Sequence, residues 1–153
     1  MVQQFRGVSI RPGLIYGENP GGITGTLLHL AARTPLLPMV GSGNYTLHTC
    51  HEDDLCELIL IACMAGDVNL PPVITAAEVT GRRFRDIIAT LAGRRLRFIP
   101  LPWRLAWLGL RLLESIGIRP RMKSDSLIGL VYSDPAPDFS PLNRLGATFR
   151  DLQ

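Results

Sequence analysis

The sequence predicts an α/β fold with a mainly parallel sheet. Short apolar, strand-like runs alternate with segments of helical spacing, and glycine or proline punctuates the changes between them. The composition agrees: 153 residues, 46% of them apolar and 19% charged, describe an ordinary folded chain with enough length for a core. A single domain over residues 1–153 is expected.

Residues 7–15 read as a buried strand, with a kink where Pro12 meets Gly13. Residues 16–25, rich in Gly, Asn and Pro, form a loop, and residues 23–33 carry the next helical spacing. Residues 34–40 read as a proline-bounded connector, 41–44 as a turn and 45–50 as a short strand. Asp53 or Asp54 then caps a helix, with Glu57 in capping-box position and Leu55, Leu58, Ile59 and Ala62 as its buried stripe up to Gly66. Residues 72–76 form a strand, and Thr80 caps a helix to about Leu91 that Gly93 stops. Residues 94–99 alternate basic and apolar as a half-buried strand does. Helices over 103–116 and 125–131 follow, and Ser140 caps a last turn through Leu145.

The net charge of +3 hides an asymmetry. Residues 1–80 hold three arginines against seven acids, whereas 81–123 hold ten arginines and Lys123 against Asp86 and Glu114. Such a block attracts anions, a nucleotide phosphate or a lipid headgroup among them. Nucleic acid is not expected as a partner, because no recognised binding motif accompanies the charge. No uncharged apolar run reaches membrane-spanning length, and Met1–Phe5 is polar, so a cytoplasmic address is expected. Trp103, Arg104, Trp107 and Arg111 would suit a helix on a membrane surface, but a helix packed over the domain has the same spacing and is the expected arrangement. Cys50, Cys56 and Cys63 include no C-x-x-C pair and read as reduced, buried thiols, the last two on one helix face. The cluster from His48 to Asp54 is not expected to bind a metal: a strand points His48 and Cys50 away from His51, and the acids belong to a helix start.

Three strings share the order and spacing of one known family. Arg11-Pro12-Gly13-Leu14-Ile15-Tyr16-Gly17 resembles an R-P-G-x-x-Y-G signature. Gly41-Ser42-Gly43, followed by Cys50-His51-Glu52-Asp53-Asp54-Leu55, resembles a G-D-G turn and a V-H-V-D-D-L corner. Leu142-Asn143-Arg144-Leu145-Gly146 resembles a small helix ending in Leu-Gly. The chain is thus similar to the C-terminal half of the extended short-chain dehydrogenases/reductases, the NAD-dependent epimerase/dehydratase type. The resemblance implies an incomplete Rossmann-like sheet with the small substrate-binding subdomain of that family. It implies that Pro12, Gly13, Tyr16 and Gly17 lie on the nicotinamide side of NAD or NADP, the Pro-Gly turn exposing amides to a ligand. Gly41, Ser42, Leu47, His51 and Arg82 would border substrate, as would the region around residues 124–130. Many sugar-nucleotide epimerases have an arginine where Leu47 stands, which weighs against a sugar nucleotide.

Two parts of the complete enzyme are missing from the sequence. No G-x-x-G-x-x-G or G-x-G-x-x-G occurs to seat a pyrophosphate. The family's Tyr-x-x-x-Lys dyad, in which lysine lowers the phenol pKa, cannot be formed, because the one lysine, Lys123, has Arg119 four residues before it. The expected role is a substrate-binding half without turnover of its own, able to hold a nucleotide-like or small anionic ligand. An oligomerising or membrane-surface module reusing this half-fold is the alternative. Without its partner strands the 7–15 strand presents an apolar edge, so a homo-oligomer covering it is expected.

Overall fold

The computed structural model describes residues 7–18, 20–65, 70–117 and 124–152. Its elements in chain order are β1 (Ser9–Pro12), β2 (Leu14–Tyr16), α1 (Gly22–Arg33), β3 (Leu36–Val40), β4 (Thr46–Leu47), β5 (Thr49–His51) and α2 (Glu52–Met64). Then come β6 (Val73–Ala76), β7 (Arg82–Arg83), α3 (Phe84–Ala92), β8 (Arg97–Leu101), α4 (Trp103–Ser115), α5 (Ser124–Val131) and α6 (Ser140–Arg144). The α/β class is as expected, and the chain divides into two compact units. Met1–Phe5, Gly66, Arg119 and Lys123, all used in reading the sequence, lie outside the described residues.

The first unit is drawn from Met1–Glu18, His48–Gly81 and Ala136–Leu152. Its strands pair in parallel, β1 with β6 and β2 with β5, so that Pro12 lies opposite Ala76 and Tyr16 opposite His51. The single strand expected over residues 7–15 is divided at Gly13, where the chain leaves one ladder and joins the next. Leu58, Ile74, Ala76 and Leu142 form the buried core, with Val8, Ile10, Leu55 and Phe139 packed against it.

Four expectations in this unit are corrected. The α2 helix is capped by His51, whose Nδ1 accepts the Asp53 N–H at 3.2 Å, not by Asp53 or Asp54. Its buried stripe is narrower than expected: Leu58 is buried, Leu55 is half-buried and Ile59 is exposed. Cys56 and Cys63 do share a face, but the exposed one, leaving Cys50 as the buried thiol. Ser140 does not cap α6 but begins it; Asp138 accepts the Ser140 N–H at 2.9 Å, and the Ser140 hydroxyl first, then this N–H, lower the Asp138 pKa.

The second unit holds Asn19–Leu47 and Arg82–Pro135. Here residues 36–40 are a strand, not a connector: β3 runs parallel to β8, Leu36 opposite Arg97 and Val40 opposite Leu101. Leu37 and Met39 are buried and Leu36 and Pro38 exposed, the alternation of a half-buried strand. Pro38 is tolerated because, among the described residues, β3 has one neighbour and not two. The 94–99 strand is displaced to Arg97–Leu101 and is mostly exposed. The helix expected from Thr80 starts at Phe84, since Arg82 and Arg83 are spent pairing antiparallel with Leu47 and Thr46. Gly93 closes it at φ 61°, as expected.

Candidate functional site at the strand ends

Open parallel sheets bind ligands beyond the carboxyl ends of their strands. In the first unit those ends are Pro12 of β1, Tyr16 of β2, His51 of β5 and Ala76 of β6. Sequence and register together bring Pro12, Gly13, Tyr16, Gly17 and His51 to this one region.

Its geometry is set mainly by the protein's own contacts. The Gly13 N–H donates to the Ala76 carbonyl at 3.0 Å, and the Leu14 N–H donates to the His48 carbonyl at 2.8 Å. These amides are therefore spent on the two ladders, which corrects the expectation that the Pro-Gly turn offers them to a ligand. Gly13 has to be glycine for a packing reason: a methyl group there would run into the His48 carbonyl oxygen and stand 2.8 Å from Ala77 Cβ. Gly17 likewise leaves room for the Glu52 carboxylate, which accepts the Glu18 N–H at 2.9 Å. Pro12 remains exposed, and Tyr16 is buried edge-on against the His51 ring at 5.0 Å between centroids.

Beneath these ends lies a polar network that the sequence reading missed. Buried Glu78 accepts the Thr49 hydroxyl at 2.7 Å and the Leu152 N–H at 3.3 Å through Oε2. Its backbone N–H donates to the Thr49 carbonyl at 2.7 Å, and its carbonyl meets His48 Nδ1 at 3.0 Å. Nothing in the sequence around Glu78 marks it as inward-facing; its partners lie about thirty and seventy residues away. The Tyr16 phenol pKa is raised, first by burial and then by the nearby Asp54 and Glu78 carboxylates. The same causes, burial before Asp54, push the Cys50 thiol up to about 12. This environment keeps a phenol protonated, the opposite of what a lysine partner does in the dyad enzymes.

Of the residues expected to border substrate, Gly41, Ser42, Leu47 and Arg82 belong to the second unit. Gly41, at φ 60°, opens a turn in which the Ser42 hydroxyl accepts the Asn44 N–H at 3.3 Å. Leu47 is buried, with Arg82 as its opposite number in the β4–β7 ladder. Arg94, one of the arginines of the basic block, donates from Nη1 to the Ala31 carbonyl at 2.9 Å and so caps the end of α1. A dinucleotide would thus find a Pro12 surface at the strand ends of this chain, with the neighbouring amides already bonded and no glycine-rich pyrophosphate cradle in the sequence.

No protein-family profile matches the chain. The chain is 28% identical over 131 residues to a 4-hydroxy-2-methyl-3-oxo-4-farnesyl-3,4-dihydroquinoline-1-oxide ketoreductase of Stigmatella aurantiaca, which covers 84% of this chain and 39% of that protein. Among solved structures it is similar to MoeE5 in complex with UDP-glucose and NAD, at TM-score 0.58 and 16% identity over 93% of this chain and 41% of the other. It is also similar to UDP-glucuronic acid 4-epimerase from Bacillus cereus in complex with UDP-glucuronic acid and NAD, at TM-score 0.53 and 17% identity over 95% and 45%. The chain therefore spans less than half the length of each of these proteins. It has the fold, over that partial span, of the extended short-chain dehydrogenases/reductases of the NAD-dependent epimerase/dehydratase type.

Proposed function

We propose that the chain is the substrate-side portion of an NAD(P)-dependent reductase-, epimerase- or dehydratase-like protein, binding ligand without completing the chemistry itself. The carrying observation is the Arg11–Gly17 segment, which crosses between two parallel ladders and sets Pro12 and Tyr16 at the carboxyl ends of their strands. NAD or NADP is the cofactor implied, and the nicotinamide would meet the Pro12–Gly13 turn. A bound nicotinamide supplies hydride chemistry; this chain's own residues contribute surface and position, while proton transfer requires a Tyr-x-x-x-Lys segment from elsewhere. Buried Leu47 gives no charge to a sugar-nucleotide phosphate, and within the arginine-rich second unit Arg82 is the residue proposed to meet an anionic group. The chain would work in the cytoplasm as a homo-oligomer that covers the free side of β1, which among the described residues is paired only with β6.

A thermal-shift titration with NAD, NADP and UDP-sugars tests the ligand reading. A saturable rise in Tm with one of them is expected, and no rise with any of them would remove it. Light scattering tests the oligomer, which a monomeric mass at working concentration would rule out.

A further inference from the structure

The α4 helix has two faces with different surroundings. Trp103, Ala106, Trp107, Leu110 and Glu114 are half-buried, and Trp103 meets Tyr132 edge-on at 6.1 Å. The other side carries Leu105, Leu108, Leu112 and, just past the last turn, Ile116, spaced as one helical stripe. These four are 61%, 49%, 59% and 70% exposed. Arg104 and Arg111 run beside the stripe, each guanidinium 5.7 Å from the ring centre of Trp103 or Trp107. The preceding β8 also exposes Arg97, Ile99 and Leu101. Between residues 82 and 117 the chain holds eight arginines against Asp86 and Glu114.

We propose that this face of α4 docks on an anionic membrane surface, the helix lying in the headgroup layer with its leucine stripe toward the acyl chains. No helix among the described residues is long and apolar enough to cross a membrane, and α4, at roughly 20 Å, can only lie along one. Charge selects the occupant. A second copy of this face would bring Arg104 and Arg111 against their own counterparts, positive charge against positive charge. Anionic headgroups instead supply counter-charge to Arg104 and Arg111 while the bilayer interior takes the stripe. The packed arrangement expected from the sequence holds for the tryptophan side alone. This proposal does not rest on nicotinamide or substrate binding.

The chain's two tryptophans both lie on α4, which makes its intrinsic fluorescence a local reporter. With phosphatidylcholine–phosphatidylserine vesicles, the full chain should co-sediment and its emission should shift to the blue, both effects weakening as salt rises. The double variant Leu108→Glu/Leu112→Glu, whose sites are exposed and whose fold is checked by circular dichroism, should bind at least about tenfold more weakly. Arg104→Gln/Arg111→Gln should weaken binding and flatten its salt dependence. The proposal is overturned by the absence of any blue shift on anionic vesicles, by equal binding to pure phosphatidylcholine, or by binding that survives the leucine variant. A lipid-free, concentration-dependent blue shift accompanied by a dimer mass, both lost in the leucine variant, would assign the face to a second copy and equally overturn it.

Discussion

Arg150 grips Asp54 from three positions. Its backbone N–H donates to Oδ2 at 2.8 Å, its Nε to Oδ1 at 2.8 Å, and its Nη2 lies 2.6 Å from Oδ1. Asp54 is buried in the first turn of α2, where the helix end also favours a carboxylate, while Arg150 is half-exposed. The pair ties the last described residues to the head of that helix.

Removing the buried partner is therefore expected to cost more than removing the exposed one. Asp54→Ala should destabilise the chain by about 1–3 kcal/mol in urea unfolding. Arg150→Ala should cost less, because its backbone N–H still reaches Asp54. The reverse order would show that the guanidinium, not the buried carboxylate, carries the tie.

Two glycine-to-alanine changes are expected to have opposite signs. At Gly13 the new methyl group meets the His48 backbone carbonyl, which has no flexible end to yield, so a loss of at least ~2 kcal/mol follows. At Gly109, inside α4, nothing lies within 4 Å, and alanine should stabilise by about 0.5–1 kcal/mol through helix propensity. Thermal unfolding of the two variants side by side decides it.

The three thiols should separate by reactivity. Exposed Cys56 and Cys63 are expected to react with an aromatic disulfide reagent at mildly alkaline pH, and buried Cys50 only after unfolding. The Cys50 pKa is raised by burial from its ordinary 9.0 to about 12, so the folded chain keeps a proton that the unfolded chain gives up. Its contribution to stability is whole below about 9 and lost as pH rises toward about 12. Raised Tyr16 acts in the same direction. Cys50→Ala should flatten that alkaline decline; an unchanged slope would assign the decline to other groups.

Thr49→Val keeps the side-chain shape but removes the hydroxyl that donates to Glu78 at 2.7 Å. Because both residues are buried, a loss of about 1–3 kcal/mol is expected, against nearly none for Thr26→Val, whose hydroxyl bonds to the Gly22 carbonyl on an exposed helix surface.

What the sequence made legible was local. The turn at Gly41–Gly43 and the stop at Gly93 follow from a positive φ that glycine reveals, and Pro12 beside Gly13 marked the break between the ladders. What it hid was decided at a distance. Prolines bracketing Leu36 and Leu37 read as a connector, and only the pairing with β8, about sixty residues on, makes them a strand. The seven-residue spacing of Cys56 and Cys63 showed that they share a face but not which one. Asp54 resembled a cap because acids favour helix starts; its true partner is 96 positions away. At the candidate site the same division holds. The Arg11–Gly17 string announced the strand ends, whereas the Glu78 network and the use of the Gly13 and Leu14 amides depend on partners brought in by the fold.

The Arg150–Asp54 grip also has a consequence for the order of events during synthesis. The first unit is stitched from three stretches of chain separated by the whole of the second unit. Its strands β1 and β6 can meet once residue 76 has left the ribosome, but Oδ1 and Oδ2 of Asp54 wait for Arg150, and Oε2 of Glu78 for Leu152. Two buried carboxylates must therefore stay open to water until residues 150–152 have been made. The first unit begins to pair before residues 82–135 of the second unit are made and is closed only after them.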